Sequence, residues 1–269
     1  MPTKNSIIAK IKKLGIKKND TLLIHGDSII LNFINGVSIK RRCINLISIL
    51  KDIIGKNGNI IIPTFTYSFT KTKIFDVRNS KSQIGNFSEN IRLLYPKHRS
   101  QHPIFSYVII GKDKKFFMSS NNSDCFGKDT LLDRFHKKQG KIVCLGCGFN
   151  RITFAIYVEQ SYGVKYRFFK YFKGNIKLPN KIIKTKVRYF VRNTKLKTDL
   201  DLSDVKKRLI KNKKLHMSDI NRVGIHCVST KDFFKTTKSL LSKNKFAIIE
   251  ERYKKKIKKS NYYKGNFLN

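Results

Sequence analysis

The chain has 269 residues, enough for one full hydrophobic core, and its 40% hydrophobic content with 20 Phe and 11 Tyr excludes a disordered chain despite 28% charged residues. No apolar run approaches the ~20 residues that cross a bilayer, and Lys10, Lys12 and Lys13 interrupt what would have to be a signal peptide's apolar stretch, so a cytoplasmic protein is expected. The 58 Lys and Arg against 17 Asp and Glu give a formal net charge of +41, which points first to phosphate-bearing partners. The excess is nevertheless spread along a chain rich in Lys, Ile and Asn, and no nucleic-acid-binding motif accompanies it, so no specific nucleic acid is expected.

The N-terminus reads as an amphipathic helix with Ile7, Ile8, Ile11 and Leu14 on one face, stopped at Gly15. Asp20 to His25 is an apolar strand followed by a Gly26-Asp27-Ser28 loop, and the stretch from Ile39 to Ile54 has helical periodicity. Ile60-Ile61-Ile62, ended by Pro63, predicts a buried strand of an α/β sheet. Residues 64 to 103 are aromatic and polar, with a short helix from Ser88 to Leu94 capped by Asn86 or Ser88. A long irregular stretch in a compact domain is usually functional. Strands are predicted at Phe105 to Ile110 and Ile142 to Leu145, the second leading through Gly146-Cys147-Gly148 into a helix from Thr153 to Tyr162.

Beyond Gly163 the pattern weakens. Lys165 to Phe172 is aromatic and basic, Val187 to Asn193 resembles a strand, and Asp204 to Lys211 and Thr230 to Ser242 are helical. The basic runs Lys206 to Lys214 and Lys254 to Lys259 read as solvated helix faces or tails. No linker or repeat divides the chain, so residues 1–269 are expected to form a single domain. The odd number of cysteines, at Cys43, Cys125, Cys144, Cys147 and Cys227, lacks a disulfide framework and predicts reduced thiols. Cys144-x-x-Cys147 has no second pair to complete a zinc site, and no metal is expected.

Loops at the carboxyl ends of strands are where open α/β sheets place ligands. Three qualify: His25 to Ser28, Pro63 to Tyr67 and Gly146 to Asn150. None is a P-loop or a G-x-G-x-x-G turn, so neither a nucleoside triphosphate nor a dinucleotide is indicated. His25 closes an apolar strand, where it serves either structure or proton transfer. Arg99 suits an anion and His102 a polar substrate group. Thr153, Ile156 and Glu159 project to one side of their helix, where Glu159 is either a solvated carboxylate or part of a site.

Read in order, these segments resemble the aminoglycoside 3-N-acetyltransferase family. Leu14-Gly15 through Asp20-Thr21-Leu22-Leu23-Ile24-His25 is similar to the family's "LG…GDTLLVHSS", and Ile60 to Thr64 to its "LVMPT". Arg99-Ser100-Gln101-His102-Pro103 with Phe105-Ser106 resembles "RSxHPxxSF", Phe126-Gly127 through Leu145-Gly146 resembles "FGxxSPLxRL…GKVLLLG", and Arg222-Val223-Gly224 resembles the closing "GRVG". Pro63 to Phe69, Phe75-Asp76-Val77, Gly85 and Arg167 to Phe172 resemble the branch found in surface-polysaccharide gene clusters.

The resemblance implies a single-domain α/β/α sandwich with a central mixed sheet and an N-acyltransferase that uses acetyl-CoA or another acyl-CoA, without a metal. The acceptor implied is an amino sugar, nucleotide-linked or lipid-linked, in surface-polysaccharide biosynthesis; a homodimer is also compatible. Asp27, Ser28, Ile29, Pro63 and Thr64 are implied at the CoA side, and Tyr67, Arg99, Arg167 and Lys170 at the acceptor. The family's T-x-x-H-x-x-E motif maps Thr153 and Glu159 onto matching residues but puts Ile156 at the catalytic histidine, leaving Glu159, His25 or His102 for that role. Gly26-Asp27 also departs from two common serines. A family member that binds acyl-CoA or sugar without turnover, and a basic nucleic-acid binder, are the alternative readings.

Overall fold

The computed structural model describes residues 2–193 and 199–253. In chain order the helices and strands are α1 (Lys4–Lys12), β1 (Thr21–Gly26), α2 (Ile39–Ile54), β2 (Asn59–Pro63), α3 (Phe69–Thr72), β3 (Ile74–Asp76), α4 (Asn86–Leu94), β4 (Tyr107–Gly111) and α5 (Lys114–Met118). They continue with α6 (Leu131–Lys137), β5 (Lys141–Leu145), α7 (Phe154–Tyr162), β6 (Arg167–Lys177), β7 (Ile182–Arg192), α8 (Ser203–Lys211), β8 (His216–Ile220), β9 (Val223–Ser229) and α9 (Thr230–Lys243).

Six strands form a mixed sheet in the order β4-β2-β1-β5-β9-β8. Strand β1 runs parallel to β2 and β5, while β4 and the β9–β8 hairpin add antiparallel edges. The central strands are apolar along their whole length because both faces are covered. Leu22, Ile24, Ile60 and Ile62 pack with α1, α2 and α4 on one face, while Leu23, Ile61 and Ile142 pack with α6, α7 and α9 on the other. This is the expected layered architecture. Helix α2 shows why the local sequence complies: Ser38 accepts from the Arg41 N–H, buried positions from Cys43 to Ile54 follow the helical period, and Gly55 at φ 69° ends it.

A second, three-stranded sheet in the order β3-β6-β7 lies beyond the helical face and was legible only at Val187 to Asn193. Strand β6 hid from the sequence pattern because Phe169 and Tyr171 are exposed while Phe172 is buried, so apolar residues occupy both faces. The β8–β9 hairpin was missed because β8 is a polar edge strand, His216-Met217-Ser218-Asp219-Ile220. Helix α4 starts after Gly85, φ 109°, without the side-chain cap expected from Asn86 or Ser88. The first basic run falls on α8, whose buried positions are Val205 and Leu209; the run Lys254 to Lys259 lies outside the described residues. All five cysteines are free, four of them buried. No described helix is long and apolar enough to cross a membrane.

Candidate acyl-transfer site

The loops leaving β1, β2 and β5 emerge at the same edge of the sheet, because these three neighbouring strands are parallel. His25 pairs in register with Cys144, and Cys144 with His226, so the three side chains stand in a row on the face that carries α7. Cys147, beyond the Gly146 turn at φ 72°, donates its thiol to the His25 carbonyl at 3.2 Å and ties the β5 loop to the β1 strand. At Gly26 a Cβ would meet the Phe87 ring at 2.5 Å, which is a steric reason for glycine at the end of β1.

After Gly26 the chain enters a 3₁₀ turn, Ser28–Phe33, whose N-cap is Asp27; its carboxylate accepts the Ile29 N–H at 3.0 Å. The expected anion position is therefore already faced by a carboxylate, with Ser28 half-buried and Ile29 exposed beside it. A Cβ at Gly148, on the neighbouring loop, would meet nothing within 4 Å. The Lys206 charge reaches Cys144 and His226 from α8. Open space is thus on the Gly148 side, while Lys206 adds positive charge along the row of Cys144 and His226.

Pro63 ends β2, and Thr64 begins a buried polar network. Thr64 Oγ1 lies 3.1 Å from Ser106 Oγ, and its carbonyl accepts from Ser106 Oγ and Arg99 Nη2. Arg99 is 1% exposed and bonds through Nε to Ser106, through Nη1 to the Val77 and Ser80 carbonyls, and through Nη2 to Thr64 and Thr66. A guanidinium has five N–H donors, and all five are taken by the protein. Arg99, expected at an anion, instead clamps the irregular 64–106 region, with its plane 4.8 Å from the Phe75 ring.

His102 accepts at Nδ1 from the Ile104 and Phe105 amides at 3.2 and 2.9 Å. That commitment puts its proton on Nε2, which lies near the Asp124 backbone without the alignment of a hydrogen bond. His25 Nε2 is buried and has no partner among the described residues. Burial lowers both imidazoles to about 4. Between pH 6.5 and 4 the unfolded chain therefore binds a proton at each ring that the folded chain does not, and stability falls as pH falls. The loss amounts to about 3 kcal/mol per ring at pH 4. Urea titrations from pH 7 to pH 4 should show it, and a His25→Gln/His102→Asn variant should flatten the slope; an unchanged slope would count against this account.

Glu159 has no exposed surface. Its Oε2 lies 2.7 Å from Arg167 Nε, and Tyr166 donates to Oε1 at 2.9 Å. The Arg167 Nε–H is not aimed at Oε2 well enough to form a hydrogen bond, so the contact is mainly Coulombic. Burial holds the carboxyl above its ordinary range against the lowering pull of Arg167 and Tyr166. Enclosed in this way, Glu159 has no path to a substrate amine, and Arg167, 5% exposed, faces Glu159 rather than a phosphate. Thr153 sits half-buried at the start of α7 without a cap bond, and half-buried Ile156 packs on the core one turn before Glu159.

Tyr67 and Lys170 keep accessible surface. Tyr67 is 39% exposed and packs edge-on to Phe105, 5.9 Å between ring centres, while the Lys170 ammonium stands 5.5 Å above the Phe172 ring. Phe105 also contacts His102, Phe126 and Tyr189, so Tyr67 and His102 share one aromatic floor. Sequence reasoning missed Tyr107 and Tyr189 on this floor. The Tyr107 hydroxyl is buried without a partner among the described residues, and burial pushes it well above its usual value. Their only sequence signal was aromatic richness. No described group of three or more His, Cys, Asp or Glu converges on a metal site.

The family model for aminoglycoside 3-N-acetyltransferase matches residues 32–242. The chain is 24% identical over 174 residues to the SPbeta prophage-derived aminoglycoside N(3')-acetyltransferase-like protein YokD of Bacillus subtilis (strain 168). That match covers 56% of this chain and 62% of YokD, so the chain spans less than two thirds of that relative. The crystal structure of YokD superimposes with a TM-score of 0.73 at 18% identity, over 90% of this chain and 94% of YokD. The AAC-IIIb complex with CoASH gives 0.74 at 16% identity, over 90% and 97%. With the collinear family match extending from the β1 exit into α9, the chain belongs to the aminoglycoside 3-N-acetyltransferase family.

Proposed function

We propose that the protein is an acyl-CoA-dependent N-acyltransferase acting on the amino group of an amino sugar, nucleotide-linked or lipid-linked, as in surface-polysaccharide assembly. The observation that carries this reading is the family match over residues 32–242, which includes the β2 and β5 loops at the sheet edge. CoASH is bound by the structural neighbour AAC-IIIb, and the neighbour AAC(3)-IVa is an aminoglycoside acetyltransferase. A net charge of +41 opposes polycationic aminoglycosides and favours an acceptor that carries phosphate. Lys170 and Tyr67 are the accessible residues for that acceptor. The open space at Gly148 and the Lys206 charge suit a phosphate-bearing thioester better than the Asp27 turn does.

The reaction breaks the thioester C–S bond and forms an amide C–N bond. The amine loses a proton and the thiolate leaves, needing little acid assistance. In this chain Glu159 is sealed against Arg167, and His102 Nδ1 is committed to two amides. His25 Nε2 and His102 Nε2 both lack a partner among the described residues, but the two amide bonds put the His102 proton on Nε2, which leaves His25 as the candidate base, and at a value of about 4 it is a weak one. Catalysis therefore rests on holding the free amine against the thioester carbonyl, with backbone N–H groups facing the developing oxyanion.

Thiol release from acetyl-CoA with a panel of nucleotide-linked amino sugars tests the proposal. Turnover is expected, with kcat/KM rising with pH through the acceptor's own ammonium pKa and no second inflection from an enzyme group between pH 5 and 8. A protein that binds acyl-CoA yet releases no thiol with any acceptor is instead the non-catalytic family member. An inflection abolished by His25→Gln would assign the base to His25 and overturn the positioning account.

A further inference from the structure

The outer face of the β3-β6-β7 sheet has a composition that acyl transfer does not require. In the observed register, Ile74 lies beside Asn175, Tyr171 beside Arg188, and Lys177 beside Ile182, so these side chains share one face. Four large apolar residues on it are exposed: Ile74 by 55%, Phe169 by 44%, Tyr171 by 55% and Ile182 by 67%. Interleaved with them are Lys173, Lys177, Lys184, Lys186 and Arg188. The Lys186 ammonium lies 4.7 Å from the Tyr171 ring centre and the Arg188 guanidinium 4.5 Å from that of Phe169. The face's carboxylate, Asp76, is engaged by the Arg78 and Asn79 amides, with Lys177 at 3.6 Å. Arg188 pairs with Asp124 at the rim, which leaves Lys173, Lys184 and Lys186 without a described carboxylate partner.

We propose that this face docks the protein on an anionic phospholipid surface, with the rings and isoleucines entering the headgroup layer and the lysines meeting lipid phosphates. Each element of the patch has a use in that setting. Aromatic rings favour the membrane interface, exposed aliphatic side chains gain by leaving water there, and lysine stems reach from an apolar layer to charged headgroups. Several lysines on one flat face sum their attraction to an anionic leaflet. A second copy of the chain is a poor occupant, since two such faces carry the same sign of charge. Single-stranded nucleic acid would use the rings and cations but leave Ile74 and Ile182 without a role. The patch is on the opposite face of the β6–β7 hairpin from Lys170 and Tyr189, and the inference stands independently of acyl transfer.

The test exploits the absence of tryptophan from the sequence. A Phe169→Trp variant supplies a single indole on the patch. Vesicles of phosphatidylglycerol and phosphatidylcholine should shift its emission to the blue and make it quenchable by brominated acyl chains, whereas pure phosphatidylcholine should do neither. Lys184→Glu/Lys186→Glu should lower the partition coefficient roughly tenfold or more, and Tyr171→Ser/Ile182→Ser should lower it with the charge intact. Both variants should keep the parent's circular dichroism and its thiol release with a soluble acceptor, so a failure of docking and a failure of acyl transfer are read separately. Emission unmoved by anionic vesicles, or unchanged partition in the charge-reversed variant, overturns the proposal. So does a blue shift produced by a single-stranded oligonucleotide and not by vesicles, which would give the face to nucleic acid.

Discussion

Glu159→Ala is expected to cost about 3–5 kcal/mol of stability, the range for removing one partner of a buried ion pair. Arg167, 5% exposed, would be left with its charge uncompensated, and the Tyr166 hydroxyl would lose its acceptor. Urea unfolding at neutral pH should show the midpoint fall sharply. Glu159→Gln, which retains an acceptor for Tyr166 and the side-chain volume, should lose less. Glu159→Ala/Arg167→Leu should recover much of the loss, because removing the second charge removes the stranded cation. If the two substitutions proved additive, Glu159 and Arg167 would not act as a pair. The same expectation governs how activity is read: turnover lost in Glu159→Ala counts toward chemistry only when measured on protein shown to be folded at the assay temperature.

The parts of the fold legible in the sequence were those in which one physical rule dominates. Ile60-Ile61-Ile62 lies between two covered faces and could be little else but a central strand, and α2 runs over Ile39–Ile54 as its period requires. Strand β6 failed that test because its outward side carries Phe169 and Tyr171, so apolarity does not mark burial there. The site divided along a similar line. Which residues cluster at the sheet edge followed from strand ends, but what each side chain does depended on partners distant in sequence. Arg99 and Val77 are 22 residues apart, as Arg99 and Thr66 are 33 apart, and those bonds turn an apparent anion ligand into a clamp. Likewise the role of Glu159 turned on Arg167 and Tyr166, which lie beyond the helix that carries it. Charge and residue type narrow the candidates, but only the count of satisfied donors shows which of them remain free to meet a ligand.

Ile156→His is expected to raise kcat by ~10²–10⁴-fold, the usual contribution of a positioned general base. Position 156 is half-buried, one turn from Glu159 on α7, and the sequence resemblance aligns it with the histidine of the family's T-x-x-H-x-x-E motif. Each Glu159 oxygen has one partner, and a carboxylate can accept more than two bonds, so capacity remains to hold an imidazole N–H. Burial and the Arg167 charge would lower the new imidazole's pKa while the Glu159 carboxylate that accepts its N–H would raise it, and the pH dependence of the gain reads that balance. The gain should therefore fall on kcat, with KM little changed, and a new limb in the pH–rate profile should mark the histidine's titration. Ile156→Leu, similar in volume and unable to take a proton, should leave the rate where it is. A parent protein silent with every acceptor, set beside an active Ile156→His variant, would identify a chain that keeps the scaffold of the reaction without its base. If the parent turns over and the histidine adds nothing, placing the amine is sufficient, and the reaction does not depend on a base at position 156.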